Sequence, residues 1–242
     1  VAAGLMLLWA NDFRAVFWAS VAPALLCVLL LVAGVREPDE RPAQAGVNPI
    51  RREALARLGR SYWWVVALGG VFTLARFSEA FLVLRAQQRG VPVALVPLVM
   101  VAMNAVYAAS AYPFGKLADR RGHARLLAAG MLVLVASDAA LAAAAHWGLV
   151  LLGVALWGLH MGMTQGLLAA MVAEHAPAPL RGTAFGIFNL VCGVAMLVSS
   201  MLAGWLWDAL GATATFVAGA IFCVLTLLGL AAGRQRLREA QP

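Results

Sequence analysis

The sequence predicts an all-α integral membrane protein, a helical bundle with about seven spans. Three observations carry this. The chain of 242 residues is 63% hydrophobic and only 12% charged, whereas soluble domains run near 45–50% apolar and about 25% charged. The apolar residues gather into runs close to the ~20 residues that a helix needs to cross hydrocarbon. The basic residues fall between those runs and are dense in alternate gaps, the asymmetry that orients a chain in a bilayer. The net charge of +7 therefore belongs to the loops and does not point to nucleic acid. Cys27, Cys192 and Cys223 each lie inside an apolar run without metal-ligand spacing, and are expected to be small buried hydrophobes.

Val1 to Trp9 is apolar but too short to span, and reads as the tail of a helix. It has neither an initial Met nor a basic n-region, so it does not read as a signal peptide. Ala10 to Arg14 is a polar turn. A first full span is expected from Ala15 to Val35, with Pro23 tolerated because bundle neighbours can re-satisfy the freed carbonyl. Residues 36–61 form a polar linker, interrupted by Pro38, Pro42 and Pro49. Glu37 to Asn48 reads as solvated, and Pro49 to Gly59 has the pattern of a short amphipathic surface helix. Six more spans are expected over 62–242: Tyr62–Leu84, Val91–Phe114, Leu126–Ala145, Trp147–Ala173, Thr183–Trp207 and Ala209–Gly233. Trp63, Trp64, Trp147, Trp205 and Trp207 fall at span ends, as an interfacial aromatic belt does.

Alternating the loops between two sides puts fourteen of the 18 basic residues on one side. These are the arginines of the linker, Lys116, Arg120, Arg121, Arg125, Arg181 and the arginines after residue 233. Arg14, Arg85 and Arg89 fall on the other side, and Arg76 lies inside a span. The rich side is expected to be cytoplasmic, so the C-terminus is cytoplasmic.

The most distinctive stretch is G-K-L-A-D-R-R-G-H-A-R, Gly115 to Arg125, read as a basic turn between two spans. It resembles the loop signature of the major facilitator superfamily of secondary transporters, G-x-L-a-D-r-x-G-r-r. Gly115, Leu117, Asp119, Arg120, Gly122 and Arg125 match, and His123 replaces a usual basic residue. D-F-R-A-V-F-W, Asp12 to Trp18, is similar to the turn between the fifth and sixth helices of drug-efflux members. L-R-G-T-A-F-G, Leu180 to Gly186, is similar to the start of the eleventh helix. The resemblance implies a twelve-span fold. Residues 1–35 would then be the end of the N-terminal helical half, 36–61 the cytoplasmic linker and 62–242 the C-terminal six-helix half. It also implies alternating access in a bacterial-type inner (plasma) membrane, with proton-coupled efflux of small molecules. The remainder of the N-terminal half, membrane lipids, protons and a small-molecule substrate would be the partners. An uptake symporter for a metabolite is an alternative, and a non-transporting scaffold or sensor is the alternative from another class. Titratable groups inside the spans argue against the latter.

Each charge inside a span costs about 2.5–3.5 kcal/mol on insertion scales and asks for a reason. Arg76 and Glu79, at i and i+3 of one span, are expected to share a helix face with Thr73 and to pair. They are either an internal ion pair or a substrate and proton site at mid-membrane, where facilitators bind. Asp138 has no charged neighbour in sequence. It is a proton-relay candidate, or a neutral acid hydrogen-bonded to a neighbouring helix. Gly158, Gly162 and Gly166 form a small-residue stripe for close helix packing, with Trp157, His160 and Thr164 on roughly the opposite face. His160 either titrates or is a neutral hydrogen-bonded imidazole. Gln165, between the two faces, is a further pathway candidate. Asn104 and Asn189 are read as helix–helix hydrogen-bonding groups, with Asn104 also a pathway candidate. The resemblance implies that Asp119 latches onto the Arg181-Gly182-Thr183 helix start in one conformation, where a helix N-terminus favours an anion. Arg120 and Arg125 would compete for that carboxylate or hold lipid phosphates. No G-x-x-x-x-G-K-[ST] run suggests ATP-driven pumping, and no hydrolase constellation or cofactor motif is present.

Overall fold

The computed structural model describes residues 13–34 and 55–239. The start of the chain, most of the linker and the last three residues lie outside it, and with them the expected helix tail at Val1–Trp9 and the linker arginines up to Arg52. Among the described residues there are nine α-helices, two short 3₁₀ turns and no strand.

The first helix, α1 (Phe13–Gly34), matches the first expected span and carries Pro23. It is exposed over almost its whole described length, so Cys27 stands exposed rather than buried. The second expected span is not one helix: α2 (Arg60–Leu74) and α3 (Ala80–Gln88) are separated by a non-helical segment, Ala75 to Glu79. A 3₁₀ turn, Val93–Leu95, leads into α4 (Val96–Arg121), and α5 (His123–Ala142) follows after a single residue. The crossing that begins at Trp147 is also interrupted, as α6 (Trp147–Thr164) and α7 (Leu167–His175). The 3₁₀ turn Ala178–Leu180 precedes α8 (Arg181–Leu210), and α9 (Ala212–Glu239) closes the chain. Six helical stretches among the described residues are long and apolar enough to cross a membrane; α2 and α3, which occupy the remaining expected span, are each too short to do so alone.

The bundle is built around α6. It packs most extensively on α5 and α4, α5 packs on α9, and α8 lies against α2 and α9. Half of the apolar window of α6–α7 is buried, but only 17% of those of α4 and α8, so these two helices keep broad bare faces. Close approach is set by glycines. A Cβ on Gly158 would meet the Met103 carbonyl of α4, and one on Gly162 would meet Ser110 Oγ. Gly166, the third member of the stripe, has nothing within 4 Å. It sits at the interruption between α6 and α7 and does not pack against another helix.

The central filling is aromatic. Phe77, from the non-helical segment, lies with its ring centroid 5.5 Å from each of Phe81, Trp157 and Phe216. Such offset and edge-on pairs contribute about 0.5–1.5 kcal/mol each beyond area burial. This helps to explain why the helix breaks where it does. Unwinding carries Phe77 into the core, and Leu74 O, freed at the helix end, accepts a hydrogen bond of 2.8 Å from Ser199 Oγ on α8.

Of the five tryptophans expected at an interface, Trp63, Trp147 and Trp205 are exposed. Trp207 instead packs its ring on Phe81 and Phe216, and a side chain on Gly233 would collide with Trp64.

Candidate functional site

The break between α2 and α3 separates the two charges expected to pair. Arg76 and Glu79 are three residues apart but not on a continuous helix, because the ladder stops at Leu74 and restarts at Ala80. No ion pair forms between them. Arg76 is half-buried, its guanidinium 5.8 Å from the centroid of the Phe72 ring, and its Nε has no hydrogen-bond partner. Glu79 is half-buried at the N-terminus of α3, where the helix dipole favours a negative charge. The segment thus offers a cation and an anion that do not neutralise each other directly, beside main-chain groups released from the helix. Thr73 turns away from the pair and donates to Gly69 O at 2.7 Å.

His160 does lie inside protein. It is fully buried, with its ring 5.5 Å from that of Phe72. Its Nδ1 lies 2.9 Å from Gly130 O on α5; because a carbonyl can only accept, this assigns the proton to Nδ1. Nε2 is buried without a partner, as is Trp157 Nε1 one turn away. Thr164 Oγ1 donates to His160 O at 2.9 Å and belongs to the helix itself. This geometry is that of a neutral, positioned imidazole between α5 and α6. Gln165 is exposed at the α6–α7 interruption.

Asp138 on α5 is fully buried, and neither carboxyl oxygen has a hydrogen-bond partner. No hydrogen bond from this carboxyl to a neighbouring helix is seen. Asn104 does not bridge helices either: Nδ2 donates back to Met100 O at 2.8 Å on its own helix, and the residue is exposed. Asn189 is likewise exposed.

The motif region corrects the expected turn. Gly115 to Arg121 is helical, the last two turns of α4, and the connection to α5 is Gly122 alone, with φ +84°. That backbone region is costly for any residue with a Cβ, which accounts for glycine here. The helix continues because it projects beyond the apolar run into water, where charged residues need not unwind it. Asp119, Arg120 and Arg125 are exposed, as are Arg181 and Gly182 at the start of α8. Among the described residues Asp119 makes no hydrogen bond or ion pair, so the expected contact with α8 is not formed in this structure. The side-chain contact that does form was not anticipated from sequence. His123 Nδ1 lies 3.0 Å from Glu174 Oε1, joining the start of α5 to the end of α7. The departure from the motif at His123 and the Glu-His pair just after the fifth expected span were its only traces. Arg85 was also missed, having been assigned to a loop. It is buried and donates to Leu141 O at 2.9 Å, Ala142 O at 3.0 Å and Ala144 O at 3.4 Å, a cation capping the C-terminal carbonyls of α5. Among the described residues no group of three or more His, Cys, Asp or Glu side chains gathers to hold a metal ion.

A multi-span helical membrane protein with interrupted crossings, charged groups at one interruption and a basic motif at one membrane face is the class these features define. Within that class the chain belongs to the Major Facilitator Superfamily, whose pattern matches residues 73–241. It is 27% identical over 193 residues to an uncharacterised MFS-type transporter of Methanocaldococcus jannaschii, a match covering 77% of this chain and 48% of that protein. It is 30% identical over 115 residues to uncharacterised proteins of Mycobacterium bovis and Mycobacterium tuberculosis, covering 48% of this chain and 28% of each. The chain thus spans less than half the length of these relatives.

Proposed function

We propose that residues 62–242 are the C-terminal half of a twelve-span secondary transporter that moves a small molecule by alternating access. Residues 1–35 would belong to the N-terminal half and 36–61 to the cytoplasmic linker. The observation that carries this reading is the interruption at Ala75–Glu79, which sets Arg76 and Glu79 beside unwound backbone. Discontinuous helices near the midplane are where secondary transporters build substrate and ion sites. The second interruption, at Gln165–Gly166, places another polar side chain at a break. We infer proton-coupled export across the inner (plasma) membrane, with the C-terminus cytoplasmic. Export rests on the resemblance of Asp12 to Trp18 to drug-efflux members, and orientation on the basic residues gathered on the motif side. Uptake of an anionic metabolite is the second reading, favoured by the unpartnered Nε of Arg76, which a substrate carboxylate would satisfy.

In this reading Glu79 takes up and releases the coupling proton as rocking of the two halves moves water or substrate beside Arg76. The full-length transporter in vesicles tests it. Under an imposed pH gradient, Glu79→Gln should lose gradient-driven accumulation, while His160→Gln, which preserves a hydrogen-bonding side chain, should keep a substantial part. Undiminished accumulation by Glu79→Gln would remove Glu79 as the coupling residue.

A further inference from the structure

Asp138 makes no ion pair with Arg76 and has no role in the reading above. The groups packed around it offer no counter-charge. From α9 come Gly219 and Cys223, whose Sγ is engaged with Met131 O at 3.2 Å. Ser137, its neighbour on α5, donates to Gly153 O at 2.7 Å. The non-helical segment contributes Ala75 and Phe77. The His123–Glu174 contact is on the motif face. An ionised carboxylate held this way would be an uncompensated buried charge costing several kcal/mol.

The carboxyl is nevertheless aimed at something. A Cβ placed on Gly219 would lie 2.9 Å from Asp138 Oδ2, 2.9 Å from Phe77 Cε1 and 3.4 Å from Ala75 O. Three groups from two chain segments therefore converge on the bare face of one glycine on a third. Two of them belong to the break, and Ala75 O accepts no hydrogen bond among the described residues.

We propose that Asp138 is a proton-binding site beside the Ala75–Glu79 break, holding its proton toward Ala75 O, and that its charge state sets the packing of that break. With the proton on, the carboxyl is neutral and offers its O–H to the freed carbonyl. With the proton off, the electron pair of the O–H bond stays on the carboxylate and the proton passes to water. Two acceptors then face each other and repel, which displaces Phe77 and, one residue before it, Arg76. A cleft of about 330 Å³ between α5 and α9, lined by Val135, Asp138, Ala139, Ala142, Val217 and Ala220 among others, adjoins the carboxyl. This rests on the transporter reading and deepens it, adding to Glu79 a second proton-binding carboxyl.

The test uses the full-length transporter in lipid vesicles and two readouts. Infrared spectroscopy should show a protonated-carboxyl C=O band at neutral pH that fades in alkali and is absent from Asp138→Asn. Substrate exchange without a gradient should vary with pH in the wild type and lose that variation in Asp138→Asn. Gly219→Ala, which sets a methyl against Oδ2, should shift the pH at which the band fades. The proposal is overturned if no carboxyl band disappears in Asp138→Asn, or if the pH dependence of exchange survives the substitution. It is also overturned if sodium chloride, but not choline chloride, raises the melting temperature of the wild type and not of Asp138→Asn, since the occupant would then be sodium. Wild-type transport indifferent to an imposed pH gradient would instead sink the coupling reading of the preceding section. The band alone would then decide whether Asp138 holds a proton, and its absence would overturn the site as well.

Discussion

At the scale of single residues, Asp119 shows how a charge can be conspicuous in sequence and idle in one structure. It is exposed near the end of α4 with no partner among the described residues, so its carboxylate is free to meet a helix start in another conformation. On the gating proposal, Asp119→Asn should leave folding and membrane abundance unchanged and lower turnover roughly tenfold, the scale of a coupling energy of 1–3 kcal/mol. Transport at the wild-type rate, at matched abundance, would remove the latch. The sequence made the cost of burying His160 legible, and with it the expectation that it faces protein. It could not supply the partner, Gly130 O, which lies on another helix. The Arg76–Glu79 pairing failed for a related reason. Spacing of i and i+3 specifies a shared face only while the helix is continuous, and what ends the helix is tertiary: the aromatic neighbours of Phe77 and the Ser199 hydroxyl on Leu74 O.

At the scale of elements, helix existence was legible and helix continuity was not. Apolar length finds crossings, but says little about interruptions inside them, so two of the expected spans emerged as pairs, α2–α3 and α6–α7. The motif was misjudged in the opposite sense. Its charges suggested a turn, but charged residues end a membrane span without ending a helix, and only Gly122 stops α4. The glycine stripe divides by the same logic. Gly158→Ala should destabilise the protein by about 1–3 kcal/mol, because its methyl would be driven into the Met103 backbone, which has no rotamer to yield. Gly166→Ala has open space and φ −84°, and should be neutral or stabilising by roughly 0.5–1 kcal/mol. Thermal unfolding of the two variants in detergent would separate them. Equal melting temperatures would show that α4 and α6 are not in the close contact described.

At the scale of the whole molecule, the fold class was readable from composition and the family from the motif, since both are written in local sequence. Inter-helix register was not. The bare faces of α4 and α8 bear on what this chain can do by itself. Expressed alone, it should insert with its C-terminus on the motif side, as a protease-accessible C-terminal tag would report. It should carry no substrate, because on the proposed reading one wall of the cavity comes from the other half. Robust flux in vesicles containing only these residues would overturn the half-transporter reading.

Arg85 has a mechanical consequence. By gripping the last carbonyls of α5 it fastens α3 to that helix, while α2 is fastened to α8 by Tyr62 Oη on Ala184 O at 3.0 Å and by Ser199 on Leu74 O. A single crossing is thereby shared between two blocks. A displacement of α5 relative to α8 would load the five residues from Ala75 to Glu79, a flexure joining an arm held by one block to an arm held by the other.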